Sequence, residues 1–237
     1  GIINKAIKDS IFPGAQIFIS KGDEILLNQG FGKLSYNENS LDVTNRTIYD
    51  VASLTKVLST TPVVMKLYQS KRLGLDYHIS DFYDQYTGKA KKNILIRHLM
   101  THTSGLDSYI EFYKMNPEIT KNEIINNILN EPLKYKVDSQ MVYSDLGMIL
   151  LTDIIEKVSS SKLDKLSSRY FYNPLGMSST LFNPLNKLKG YDLNNIAPTE
   201  HDMYFRNKVL KGEVHDENAY LLGGISGNKI CSNILPM

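Results

Sequence analysis

Tryptophan is absent from this chain of 237 residues, and cysteine occurs once, at Cys231. A lone cysteine excludes an intrachain disulfide framework and a cysteine-built zinc site, and it leaves the redox compartment open. Charge of one sign is nowhere concentrated: 27 basic and 25 acidic residues are interspersed along the chain, for a net charge of +2. Lacking a basic arm or cluster, the sequence has no nucleic-acid partner to be expected. Long apolar runs are missing too, so no membrane span is predicted, and no charged-then-apolar leader precedes the first helix. The chain starts at Gly1 rather than Met, which reads as a processed or excised segment. What is present, 42% apolar residues over this length, is enough to bury a sizeable core in a globular α/β (α+β) protein.

Periodicity divides the chain. Ile2, Ile3, Ala6 and Ile7 have helical spacing, Pro13-Gly14 breaks it, and alternation from Ala15 to Ser20 predicts a strand. Lys21-Gly22-Asp23 turns this strand into a second one over 24–31, a hairpin; 32–47 is polar loop. Helical patterns then dominate: 53–68, with Pro62 kinking the helix or starting a new one; 93–102, stopped by Ser104-Gly105; 120–130, with a Thr120/Glu123 capping box; and 145–158. Asn173-Pro174-Leu175-Gly176-Met177 marks a break, and 178–220 reads as loops with short strands. The expectation is one domain over 1–237. Within it, 1–50 form a helix and hairpin of the sheet region, 51–177 the nucleophile helix and helical subdomain, and 178–237 an incomplete return to the sheet.

Chemistry concentrates at Ser53-Leu54-Thr55-Lys56. Residues i and i+3 of a helix share a face, so the Ser53 hydroxyl and Lys56 amine project into the same space, a pairing that activates a weak nucleophile. The Ser-x-x-Lys pattern occurs three times, also at Ser159–Lys162 and Ser226–Lys229. Only Ser53 opens a helix after a good N-cap, Asp50; Ser159 lies in a helix exit and Ser226 in a Gly-rich turn. At a helix start, the Ser53 amide is also placed to donate to a developing oxyanion. Among 15 tyrosines only Tyr143 has Asn or Asp two residues later, in Tyr143-Ser144-Asp145.

These segments together resemble the serine β-lactamase and penicillin-binding-protein superfamily, in its class C β-lactamase-related serine hydrolase and esterase branch. Tyr49-Asp50-Val51-Ala52-Ser53-Leu54-Thr55-Lys56 is similar to the nucleophile segment, and 96–106 (IRHLMTHTSGL) to the helix-and-turn marker. Tyr143-Ser144-Asp145 is similar to the Tyr-x-Asn element, and Pro174-Leu175-Gly176-Met177 and Gly223-Gly224 fit as well. The likeness covers about residues 2 to 227. A narrower likeness, in 196–200 and 212–219, is to a branch fused behind a glycoside hydrolase module in envelope proteins.

The resemblance implies a β-lactamase/transpeptidase-like fold, an antiparallel sheet packed by helices plus a helical subdomain. It implies a hydrolase in which Ser53 attacks a carbonyl and forms an acyl-enzyme, with Lys56 and Tyr143 managing the proton; which of the two is the base stays open. Asp145, Gly223 and Gly224 are the implied substrate-binding residues, the substrate a small ester, peptide or β-lactam. No cofactor or metal is implied, and the location is periplasmic or secreted, in the cell envelope. Two departures stand out. Asp145 replaces the usual Asn and, ionised, cannot donate an amide N–H; its other reading is as cap of the helix that follows. The family's Lys/His-Ser/Thr-Gly element is absent from the sequence, so late sheet strands and one oxyanion donor are expected to be missing. Losing such a donor costs about 10²–10³ in rate. Weak turnover is therefore expected, and a catalytically inactive relic or binding module that retains the cleft is the alternative.

Other readings rank lower. His98 and His102 stand i, i+4, but without the glutamate of the zincin pattern or a third ligand; hydrogen bonding in turn and core is their expected job, and that of His201. His215-Asp216 reads as a solvated loop pair before it reads as part of a cleft. A carboxylate-pair glycosidase has only scattered acidic residues in its favour.

Overall fold

The structure, a computed structural model, describes residues 1–83, 91–189, 191–224 and 231–232. The expected Gly-rich turn at Ser226–Lys229 lies outside these. Helix α1 (Ile2–Lys8) leads past Pro13 into strands β1 (Gly14–Lys21) and β2 (Glu24–Gly32). The strands form the predicted antiparallel hairpin, with Gly14 opposite Gly32 and Lys21 opposite Glu24. After the polar loop, β3 (Tyr49–Asp50) runs directly into the Ser53 segment.

That segment is not one regular helix. Ala52–Leu54 is a 3₁₀ turn, Lys56–Thr60 is π-helical, and α2 (Thr61–Gln69) follows. Pro62 explains the change. Lacking an N–H, it cannot bond the carbonyl of Leu58 four residues back, and its ring crowds that carbonyl. The regular helix therefore restarts with Pro62 in its first turn, and the Leu58 carbonyl accepts a hydrogen bond from the Tyr172 hydroxyl instead (3.2 Å).

The helical region continues with α3 (Ile96–Met100), α4 (Phe112–Met115), α5 (Lys121–Asn130), α6 (Asp145–Ser159) and α7 (Leu163–Ser167). The capping box predicted for α5 is present: Thr120 Oγ1 accepts from the Glu123 amide, and Glu123 Oε2 accepts from the Thr120 amide at 2.7 Å. Val63, Val64 and Leu67 of α2, Leu99 of α3, Ile124 and Ile128 of α5, and Leu150 and Ile154 of α6 are 1% exposed or less, in one apolar cluster. Each such side chain contributes about 1.5–3 kcal/mol by its burial. This cluster anchors the first turns of α2 and α6.

The remaining elements are β4 (Thr180–Leu181), α8 (Tyr191–Asn194), β5 (Pro198–Asp202), β6 (Lys208–Lys211), α9 (Glu217–Leu221) and β7 (Cys231–Ser232). β7 pairs antiparallel with both β3 and β4, and β5 pairs with β6. The described strands thus make three small antiparallel sheets rather than one continuous sheet. β3 and β4 have two residues each, and two residues of β7 are described.

Candidate active site

Ser53 leaves β3 through a strained turn. Ala52 has φ +47°, unusual for a residue with a Cβ, and its amide donates to Asp50 Oδ1 at 2.7 Å. Asp50 is not the N-cap its position predicted, a place that Val51 takes; its carboxylate closes the turn one residue earlier through Ala52, and the Asp50 side chain is only 2% exposed. Burial pushes the Asp50 carboxyl up, but the hydrogen bond from His215, the Ala52 amide and the His215 charge outweigh it and hold the carboxyl below its ordinary range. Thr55 Oγ1 donates to the Ala52 carbonyl (2.7 Å), bracing the turn from its other end. On this frame Lys56 Nζ lies 3.0 Å from Ser53 Oγ, with the lysine buried at 6% exposure and Ser53 half-buried.

Tyr143 and Asp145 arrive from the start of α6. Lys56 Nζ is 2.9 Å from Asp145 Oδ1 and 4.7 Å from the centroid of the Tyr143 ring. The Lys56–Asp145 contact is an ion pair, not an aligned hydrogen bond. Asp145 does not cap α6. Ser144 does, its Oγ accepting from the Gly147 amide (3.2 Å), while Asp145 is the first helical residue and its side chain turns to Lys56. The shorter serine fits the cap geometry, and the carboxylate goes to the nearby cation.

The marker segment 96–106 is the platform for this arrangement. His102 adopts φ +59°; its carbonyl accepts from the Val142 amide (2.8 Å) and its Nδ1 from the Ser144 amide (3.1 Å). Ser144 Oγ donates to the Asp107 carbonyl (2.6 Å), and the Asp145 amide to the Ser108 carbonyl (2.9 Å). Gly105 has φ +79°, and a Cβ there would sit 2.3 Å from the Tyr135 carbonyl oxygen, so only glycine lets segment 134–144 lie this close. The His102 ring packs on Tyr143 with centroids 4.5 Å apart. Burial, and then the Lys56 charge, lower the His102 pKa and favour the neutral ring whose Nδ1 accepts from Ser144. His98 likewise accepts the Leu95 amide through Nδ1 (3.1 Å). Both histidines serve backbone hydrogen bonding, as expected. His201 lies exposed on β5.

Gly223 and Gly224 follow α9. Their amides bond the carbonyls of Tyr220 and Ala219, and the Gly223 carbonyl accepts from Asn183. These bonds close a turn beside Asn183 and do not run to the Ser53 cluster. The other described Ser-x-x-Lys pair is no pair at all: Lys162 Nζ bonds Glu156 Oε2 (3.1 Å) and Ser159 bonds Ser161. Asp153 and Glu156, the acidic residues on α6 nearest each other, are matched by Lys121, Lys157 and Lys162.

His215 corrects the reading of a solvated loop pair. Its Nδ1 lies 2.9 Å from Asp50 Oδ2, and Asp216 caps α9 by accepting from the Ala219 amide (2.7 Å). The sequence signal was only the adjacency of His215 and Asp216. Nothing in it paired His215 with a residue 165 positions earlier.

A serine and a buried lysine at the head of a helix, a tyrosine from a distant loop, and helices packed with small antiparallel sheets define the β-lactamase/transpeptidase-like fold. Solved structures agree. A penicillin-binding protein homologue from Pyrococcus abyssi superposes with a TM-score of 0.73 at 23% identity, covering 98% of this chain and 52% of that one. EstCE1, described as a hydrolase with promiscuous acyltransferase activity, gives 0.76 at 18% identity, covering 98% and 67%. Residues 2–203 match the family described as Beta-lactamase, and the chain belongs to that family. A curated relative from Escherichia coli O157:H7, named a putative D-alanyl-D-alanine carboxypeptidase, is 31% identical over 93% of this chain. The chain spans 57% of that relative's length. No helix among the described residues is long and apolar enough to cross a membrane.

Proposed function

We propose that the chain is a serine acyl hydrolase in which Ser53 is the nucleophile, with an ester as its favoured substrate. The 3.0 Å contact between Lys56 Nζ and Ser53 Oγ carries this reading. The same Lys56 Nζ stands 2.9 Å from Asp145 Oδ1, so its hydrogen-bond donors are shared between the Ser53 hydroxyl and a carboxylate. Lys56 orients Ser53 and offsets developing negative charge, and Tyr143, whose ring centroid lies 4.7 Å from Lys56 Nζ, takes up the Ser53 proton. Ser53 Oγ bonds to the substrate carbonyl carbon as its proton passes to Tyr143. The acyl–oxygen bond breaks, the departing alkoxide takes that proton, and water releases the acyl group from Ser53.

Asp145 supports the ester preference. A carboxylate donates no hydrogen bond to an amide or β-lactam carbonyl and repels an anionic substrate, whereas a neutral ester asks for neither. The test is incubation with a fluorescent fluorophosphonate, followed by p-nitrophenyl acetate hydrolysis. Labelling of the chain that disappears in Ser53→Ala is expected, with turnover lagging behind labelling. If folded protein takes no label, the binding-module alternative replaces this reading.

A further inference from the structure

The hydrogen bonds behind Ser53 continue outward in one direction. Asp50 holds the Ala52 amide with Oδ1 and meets His215 Nδ1 with Oδ2 (2.9 Å), and the His215 amide also reaches Oδ2 (3.4 Å). His215 is held in turn: Arg206 donates to the His215 and Val214 carbonyls, and its Nε lies 2.7 Å from Asp202 Oδ2. Asp202 accepts from the amides of Tyr204, Phe205 and Arg206, which fixes the β5–β6 turn. The Arg206 and Asp202 side chains are 6% and 3% exposed, so the support is rigid and shielded from water. The stretch it supports contains the backbone conformation that needs holding, Ala52 at φ +47°.

We propose that His215 is a positioning residue for the nucleophile: by fixing the Asp50 carboxylate it holds the Ala52 amide, and hence the turn from which the Ser53 hydroxyl faces Lys56. The inference rests on the hydrolase reading for its effect on rate, though not for its effect on structure. A buried carboxylate free to rotate would bond Ala52 only part of the time, and the turn would relax toward ordinary φ. A displacement of Ser53 on the ångström scale then slows acylation without touching substrate.

The experiment compares the 237-residue chain with His215→Ala, His215→Asn and Asp50→Asn. Asparagine puts an amide donor where Nδ1–H stands, so it restores the bond that alanine removes. Asp50→Asn retains an acceptor for Ala52 while losing the carboxylate for His215. Fluorophosphonate labelling of Ser53 is expected to slow about tenfold to 10²-fold in His215→Ala. It should return to within a few-fold of the parent rate in His215→Asn, at equal protein folded by circular dichroism. Hydrogen exchange of the Ala52 amide is expected to quicken in His215→Ala and in Asp50→Asn. Parent-like labelling and parent-like Ala52 exchange in His215→Ala overturn the proposal, as does failure of His215→Asn to rescue. Should His215→Ala not fold, Asp50→Asn decides by the same two measurements. If even the parent takes no label, the hydrolase reading fails, and Ala52 exchange, which needs no turnover, still decides whether His215 holds the turn.

Discussion

Asp145 Oδ1 stands 2.9 Å from Lys56 Nζ, so the lysine that faces the proposed nucleophile is shared between a hydroxyl and a carboxylate. Asp145→Asn keeps the shape, removes the charge and adds an amide donor. We expect it to raise β-lactam or amide acylation relative to ester acylation by about 2- to 10-fold, the range of one hydrogen bond between neutral groups. The ratio of nitrocefin to p-nitrophenyl acetate acylation rates reads this directly. An unchanged ratio removes Asp145 from substrate selection.

Lys56→Met takes away the group closest to Ser53 Oγ and leaves Asp145 facing an apolar side chain. Acylation by fluorophosphonate should fall by about 10²–10³, the usual cost of removing one donor that stabilises developing negative charge. Melting should also occur at lower temperature, because the partner carboxylate loses its cation. Adding Asp145→Asn to Lys56→Met should recover part of the stability but little of the rate. Recovery of both would mean that Lys56 acts only as a structural partner of Asp145.

Stability should decline in mild acid. The pKa values of His98 and His102 are lowered from 6.5, first by burial, so the unfolded chain takes up protons at these positions at higher pH than the folded chain does. Their contribution is whole above pH 6.5 and is lost as pH falls through the folded-state values, ahead of the carboxylates. Asparagine at both positions keeps an acceptor for the Leu95 and Ser144 amides and suits the left-handed backbone at 102, but does not titrate. The double variant should flatten the melting curve between pH 7 and about 5. A parent curve already flat over that interval contradicts the assignment.

Gly224→Ala should destabilise by more than about 1–2 kcal/mol, the cost of a left-handed L-residue, because a clash adds to the strain. Its φ is +69°, and a Cβ would meet Asn183 Oδ1 at 2.1 Å. Gly223→Ala shares the strain, at φ +76°, but enters open space and should cost less. Urea melts rank the two. A large loss of acylation in either variant without loss of stability would restore the substrate-binding role that their hydrogen bonds do not support.

What could be read along the chain was whatever is encoded locally. Alternation marked the hairpin, Thr120 and Glu123 marked the start of α5, and Pro62 marked where the helix after Ser53 restarts. The i, i+3 spacing of Ser53 and Lys56 survives because both lie within one turn of backbone, even where that turn is 3₁₀ and π-helical instead of α-helical. The choice of Ser144 over Asp145 as the cap of α6 was not legible. It depends on Lys56 drawing the carboxylate away, and that cation arrives from another helix.

The sequence by itself determined the helical core, the Ser53–Lys56 contact and the family, because short-range spacing and apolar periodicity act through neighbouring residues. Only the tertiary structure decided that Asp145 serves Lys56, that His102 holds the Ser144 amide, and that His215 meets Asp50. Those partners are brought together by the packing of separate elements, and the hydrogen bonds that join them act only at contact, where distance along the chain counts for nothing.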